Sequence, residues 1–439
     1  MTRELRYAAT TVDVTPPTNV PLAGYTARDA VPATGTHDRL TASLLWLSGA
    51  NDDSSVCWVA VDALGLDVSA ASRIRTAVAA RIGTDVDAVL VCSSHTHSGP
   101  VTWSDASSGA AIDRLVKDIS RGAARLPAIR TSVTAAWCTV PDVGVGANRY
   151  DPAGPHDAST GVLVLRDAEQ AVVTVLFDYA CHPTVLGHTN LEYSADYPAA
   201  TRRVVRAALQ ETDGVETPPV VVFLQGAAGD ASTRFTRRAA TFAEADRQGA
   251  ILAGSLLRGV LAAEPLAGRE VVVLRGTCTV PTRSLPTAAV IRKTLAAAEQ
   301  AWAKLDPGDG PETPEIRIAR TRREGALTLA AMREAKLPAS YDLPISVVAI
   351  GDVAWAHLPV EPITCFGEQI RAASPFGQTR TIGYTDGYFG YLADEQAHRA
   401  GQYEALSSVF GPAAGEVVVR EAVALLHKAH AAVGGKVVG

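Results

Sequence analysis

The sequence predicts an α/β protein with a mixed, largely buried β-sheet core flanked by helices. Three observations predict it. Short apolar runs rich in Val, Leu and Ala recur, each bounded by Gly, Pro, Asp or Ser, as expected of strands covered on both faces. Segments with helical periodicity lie between several of them, which argues for α/β layering. The chain has 439 residues, 47% hydrophobic and 20% charged, an ordinary globular composition with ample material for a core.

In chain order, the strand-like runs are "SLLWLSG" (43–49), "VCWVAVDALGL" (56–66), "AVLVCSS" (88–94), "GVLVLRD" (161–167), "AVVTVLFDYA" (171–180), "PPVVVFLQGAAGD" (218–230), "REVVVLRGTCTV" (269–280) and "ISVVAIGDVAWAHLP" (345–359). Helical patterns are "SAASRIRTAVAARIG" (69–83), "AATRRVVRAALQE" (199–211), "EADRQGAILAGSLLRGVLAAE" (244–264) and the amphipathic "EVVVREAVALLHKAHAAV" (416–433). Residues 287–340 read as a helical hairpin insertion, broken at the exposed Pro/Gly loop "DPGDGPETPE". No repeat or long linker divides the chain, so residues 1–439 are expected to form one catalytic domain.

Net charge is −6, and no Lys/Arg-rich block appears, which argues against nucleic acid as a partner. No apolar stretch of membrane-spanning length and no signal-peptide pattern is visible. The six cysteines are scattered without a Cys-x-x-Cys, which suits reduced, buried thiols in a cytoplasmic protein. The excess of Arg over six lysines suits a GC-rich bacterial genome.

Five segments carry groups able to do chemistry. "SSHTHSGP" (93–100) follows an apolar run. On a strand, residues i and i+2 face one side, so His95 and His97 can share a cavity; a polar turn is the alternative. His182 ends the run "VLFDYACHP", where Pro183 stops the strand, and a core histidine explains it equally. "GAAGDASTR" carries Asp230, Ser232 and Arg234 on a small-residue loop, yet lacks both the G-x-S-x-G elbow and the P-loop pattern. Glu361, in "LPVEP", is a carboxylate in apolar company, which is costly unless it is paired or on a metal. Tyr384, Tyr388, Tyr391 and Tyr403 lie among glycines, where packing is the usual role.

Taken together, the segments resemble the neutral/alkaline ceramidase family, zinc amidases that hydrolyse the N-acyl bond of ceramide. "VDVTPP" with "LAGY", "SSHTHSGP", "ANR" (147–149), "HPTVLG" with "YSADYP", "GAAGDAST", "LPVEP", and Gly390-Tyr391 followed by Tyr403-Glu404 match its motifs in order. The resemblance implies Zn2+ held by His95, His182, Glu361 and Tyr391. It also implies a catalytic shell of His97, Arg149, Ser232 and Tyr403. Two imidazoles, a carboxylate and a phenol form a chemically reasonable zinc set.

The chain departs from the family pattern at Ala227, Thr233 and Arg234, where members carry Asn, Pro and Asn. It also ends without their C-terminal β-sandwich domain, as a short bacterial member would. The expected activity is therefore zinc-dependent cleavage of an N-acyl amide, with a small soluble N-acyl metabolite favoured over ceramide. Three rivals are weighed against it: a TIM-barrel amidohydrolase, a metal-independent serine hydrolase using Ser232, and a non-catalytic ligand-binding homologue.

Overall fold

The structure is a computed structural model that describes residues 5–18, 20–28, 30–49, 54–102, 109–214, 216–305 and 313–436. Its largest element is a nine-stranded mixed sheet. The strand order is Val220–Gln225, Val172–Tyr179, Thr160–Arg166, Thr131–Val140, Leu5–Asp13, Thr41–Ser48, Ser55–Val61 and Val89–Ser93, with Glu264–Pro265 paired to Thr131–Val140. The two outermost pairings are parallel and those between them antiparallel. This antiparallel interior rules out a TIM barrel, which needs eight parallel strands. A four-stranded sheet of Val271–Pro281, Ser340–Ile350, Val353–His357 and Gln378–Ile382 lies against the large one. The run 345–359 thus holds parts of two antiparallel strands, turned at Gly351 with φ 55°.

Alternation along each strand explains why the runs are apolar throughout. Leu45, Trp58, Leu90 and Leu224 of the large sheet meet Val348, Trp355 and Ile382 of the small one in a core between the sheets. Their neighbours point the other way. Leu44, Val59 and Val91 pack beneath the helices Val68–Ile82 and Gly109–Ala123. Phe177 and Phe223 pack beneath Tyr197–Asp213 and Phe242–Ala262. Ile345, Val347 and Ala356 pack beneath the C-terminal helix Ala414–Lys436. The result is four layers: helices, sheet, sheet, helix.

Local signals fix the helix ends. Asp67 accepts from Ala70 N–H at the start of Val68–Ile82, and Gly83 closes it at φ 70°. The expected hairpin consists of Ala288–Ala303 and Pro314–Glu334; residues 306–312 of its connecting loop lie outside the described residues. Among the described residues, no helix is long and apolar enough to cross a membrane.

One feature of the topology positions the site. Residues 382–386 run between the two edges of the large sheet. Ser93 N–H donates to Tyr384 O and Asp386 N–H to Val91 O at one edge, while Gly383 N–H donates to Gln225 O at the other. The loops leaving both edge strands are thereby brought to a common place.

Candidate active site

His95 and His97 lie beyond the strand Val89–Ser93, in a loop, so the strand alternation expected from their spacing does not operate. His95 instead takes φ 63°, a left-handed conformation that costs a non-glycine residue of order 1–3 kcal/mol. Surrounding bonds impose it: Ser94 N–H donates to Val61 O and His95 N–H to Ala63 O. The two imidazoles still share a cavity, with ring centroids 5.1 Å apart.

Short ladders bring in the other groups. His182 bridges Ser232, three residues past the end of Val172–Tyr179. Ala231–Ser232 pairs with Ala147–Asn148, and Arg149 N–H donates to Asp230 O. Glu361 pairs directly with Tyr391 in a two-residue parallel ladder. Asp196 caps the helix Tyr197–Asp213 and accepts from Leu186 N–H, which ties the loop after His182 to that helix.

These connections converge on Glu361. Its Oε2 lies 3.2 Å from His95 Nε2 and 3.3 Å from His182 Nε2. His182 Nε2 is also 3.3 Å from Tyr391 Oη. His95, His182 and Glu361 are each 1% exposed. The outer ring nitrogens face carbonyls: His95 Nδ1 meets Leu64 O at 2.7 Å, and His182 Nδ1 meets Ala228 O at 2.8 Å. A carbonyl only accepts, so each Nδ1 carries the proton and each neutral Nε2 presents a lone pair. Two lone pairs then point at a carboxylate oxygen. This arrangement is repulsive unless a cation joins it, and the donor set fits a divalent metal of the zinc class.

Electrostatics agree with neutral imidazoles at His182 and His97. Burial lowers His182 to about 4 and, with His95 and His182 nearby, holds His97 well below the ordinary value. Burial opposes ionisation of Glu361, but the facing imidazoles keep its carboxyl well below the usual range. Both ring nitrogens of His97 lack a hydrogen-bond partner among the described residues. Ligand nitrogens of His95, His97 and His182 lie within 4.8 Å of one another, so His97 is also within reach of an ion.

A narrow cleft of ≈ 60 Å³ leads to this centre and is lined by His97, Arg149, His182, Ser232, Tyr391 and Tyr403, among others. Arg149 is buried and ion-paired to Glu404, which also accepts from Tyr150 Oη at 2.6 Å. Its guanidinium carbon sits 5.3 Å from the Tyr391 ring and 5.4 Å from the Tyr403 ring. Ser232 Oγ accepts from Arg234 N–H at 3.3 Å; among the described residues no imidazole hydrogen-bonds it. Gly24, in "LAGY", has φ 97°, and a Cβ there would lie 2.5 Å from His97 Nδ1. Only glycine lets the backbone lie against that ring.

The architecture matches solved structures. A ceramidase complexed with C2 superposes with a TM-score of 0.75 at 17% identity, covering 97% of this chain and 75% of that one. Neutral ceramidase from Pseudomonas aeruginosa gives 0.73 at 18% identity, covering 98% and 75%. The fold is that of the neutral ceramidases. No protein-family model and no curated protein matches the sequence. The neutral-ceramidase fold therefore extends over nearly all of this chain at an identity where sequence comparison alone is silent.

Within that fold, the eight residues singled out from the sequence gather around one cleft. Three further groups were assigned no role. Tyr388 Oη donates to Glu361 Oε1 at 2.5 Å, and Tyr384 Oη to Oε2 at 3.4 Å. Tyr384 also stacks on His95 at 4.1 Å. Glu404, fully buried, anchors Arg149. The signal for Glu404 was present: an acid directly after Tyr403 and a buried arginine needing a counter-charge.

Proposed function

We propose that this protein is a zinc-dependent amidase that cleaves an N-acyl amide bond. The observation that carries the reading is the convergence of His95, His182, Glu361 and Tyr391 on one buried point whose facing lone pairs require a cation. These four residues would hold Zn2+. When bound, the ion polarises a carbonyl and brings the pKa of a coordinated water to about 7. His97, neutral and at the cleft wall, accepts a proton from the attacking water and returns it to the leaving nitrogen. Arg149, held by Glu404, and the Tyr403 hydroxyl donate to the developing oxyanion. Ser232 orients the substrate from the opposite ladder. The ceramidases among the structural neighbours support amide hydrolysis as the reaction class.

We favour a small N-acylated metabolite over ceramide. No Leu, Ile, Val or Phe is among the described residues lining the cleft, so it offers poor company to long alkyl chains. All six cysteines are unpaired, which suits a cytoplasmic setting.

The test joins metal analysis to turnover of a panel of N-acyl amines. Wild type is expected to carry zinc, lose activity to a chelator and regain it with Zn2+. His95→Ala should lose the metal. Tyr403→Phe should keep it and slow turnover by ~10²–10³. His97→Ala should also keep zinc while losing ~10²–10⁴ in rate; loss of zinc there would make His97 a ligand instead. Metal-free wild type that still hydrolyses amides would overturn the proposal and favour Ser232 as nucleophile.

A further inference from the structure

The three imidazoles at the centre are not held in the same way. His95 and His182 are each aimed by a carbonyl at Nδ1, from Leu64 and Ala228. His97 has no hydrogen-bond partner at either ring nitrogen among the described residues. A general base must sit within a narrow range of positions, and a third group commonly orients it through its second ring nitrogen. Something other than a bond to the ring must therefore fix His97.

Backbone and packing supply the frame. The Gly24 backbone lies so close to the ring that a Cβ there would stand 2.5 Å from His97 Nδ1. The Tyr25 ring lies 4.8 Å from it, tilted by 54°. Arg28, 3% exposed, joins these parts. Its Nη1 donates to Ala23 O at 2.8 Å and to His97 O, and its Nη2 donates to Gly187 O at 3.3 Å. Its guanidinium carbon sits 4.9 Å from the Tyr25 ring centroid, and Tyr25 Oη donates to Leu186 O at 2.9 Å. One planar group thus ties three segments together: the turn that carries Gly24, the peptide of His97, and the loop after His182.

Two features set this arginine apart. The buried Arg149 and Arg380 meet Glu404 and Asp178, whereas no carboxylate pairs with Arg28 among the described residues. A buried charge without a counter-charge is unfavourable. Burial accordingly lowers its pKa from the ordinary arginine value, and only Tyr25 opposes that shift. The second feature is what it holds. His95 N–H donates to Ala63 O, Ser98 N–H to Thr96 Oγ1 and Ser194 N–H to Ser98 O, so the residues on either side of His97 are anchored without it. The His97 carbonyl itself has Arg28 as its partner. A lysine ammonium is a point charge and lacks the planar fork that spans these three carbonyls.

We propose that Arg28 is a positioning residue that fixes the His97 imidazole beside the centre, by clipping its peptide to the Gly24 turn and to the loop at 186–187. The inference rests on the amidase reading above, in which His97 moves the proton from water to the leaving nitrogen. Arg28 is not among the residues lining the cleft, so it acts on the reaction through His97 and not by touching substrate.

The test uses the full-length, metal-loaded protein, its Arg28→Ala and Arg28→Lys variants, and the N-acyl amine that wild type cleaves fastest. Both variants should keep the wild-type metal content and leave KM near wild type, while kcat falls by ~10², the effect of misplacing a reacting group by about 1 Å. Guanidinium chloride at a non-denaturing concentration should restore part of kcat in Arg28→Ala and none in Arg28→Lys, whose ammonium occupies the space. Crystal structures of Arg28→Ala with and without guanidinium read the His97 ring directly, with no turnover needed. The ring should be displaced without the ion and return with it. If Arg28→Ala does not fold, kcat and the ring position in Arg28→Lys decide. Wild-type kcat in the folded variants, a rise confined to KM, an unmoved ring, or loss of metal together with kcat overturns the proposal. A ring that shifts and returns in a protein that cleaves no amide upholds the role of Arg28 and sinks the amidase reading instead.

Discussion

Replacing Glu404 by Gln keeps the side-chain shape and removes one charge. Glu404 is fully buried, and Arg149 beside it is 5% exposed. Arg149 Nε and Nη2 both meet Glu404 Oε1, and Tyr150 Oη donates to Oε2. The variant therefore leaves a guanidinium buried with no carboxylate, a situation that costs roughly 3–5 kcal/mol. At about 2.1 cal/mol/K per residue, 439 residues give an unfolding entropy near 0.9 kcal/mol/K, so the melting temperature should fall by roughly 3–5 °C. Differential scanning calorimetry measures this directly. Arg149→Gln/Glu404→Gln removes both charges and should recover most of the loss in stability without recovering activity. A Glu404→Gln melting point within one degree of wild type, or a double variant that melts lower than the single, would refute the argument that this pair is a mutually dependent buried unit.

Other outcomes follow from the same geometry. Tyr388→Phe removes the donor at Glu361 Oε1 and should weaken metal affinity by ~10–100-fold, as read by chelator competition. Gly24→Ala places a methyl group against His97 Nδ1 at a backbone of φ 97°; kcat/KM should fall while metal content is retained. His357 accepts from Trp58 Nε1 at 3.3 Å and is lowered by burial to about 3. An imidazole depressed in the folded state contributes stability that is fully present above pH ~6.5 and is lost as pH falls towards 3, at about 1.4 kcal/mol per pH unit. His357→Gln should remove that slope from the difference between wild-type and variant unfolding curves. Identical slopes would show that His357 does not titrate in this way.

Much of the layering was legible because strands buried on both faces leave uninterrupted apolar runs, as "VLVC" and "VVVFLQ" do. The strands Leu5–Asp13 and Thr131–Val140 escaped notice. Their burial is mixed, so polar and apolar residues alternate without forming a run. The helix Gly109–Ala123 was likewise passed over. The histidines were found by their spacing, but for a reason the structure corrects: a loop with His95 at positive φ, rather than strand alternation, aims the rings. Two-residue ladders such as Glu361–Pro362 with Tyr391–Leu392 leave no periodic trace at all. Tyr388 and Glu404 were visible in the sequence but given no role, because that role lies in contacts with Glu361 and Arg149 across long sequence separations.

The segment 382–386 has a consequence for how the chain is made. During synthesis, Val89–Ser93 and Val220–Gln225 emerge long before the stretch that ties them together, so a nascent chain presents two bare strand edges, each a template for aberrant association. Loop closure over such distances is slow. Until the last third has left the ribosome, Glu361 and Tyr391 have not reached the histidines, and the paired lone pairs do not exist. On the proposed zinc reading, the ion would bind only after that point, and metal content would serve as a readout of completed folding.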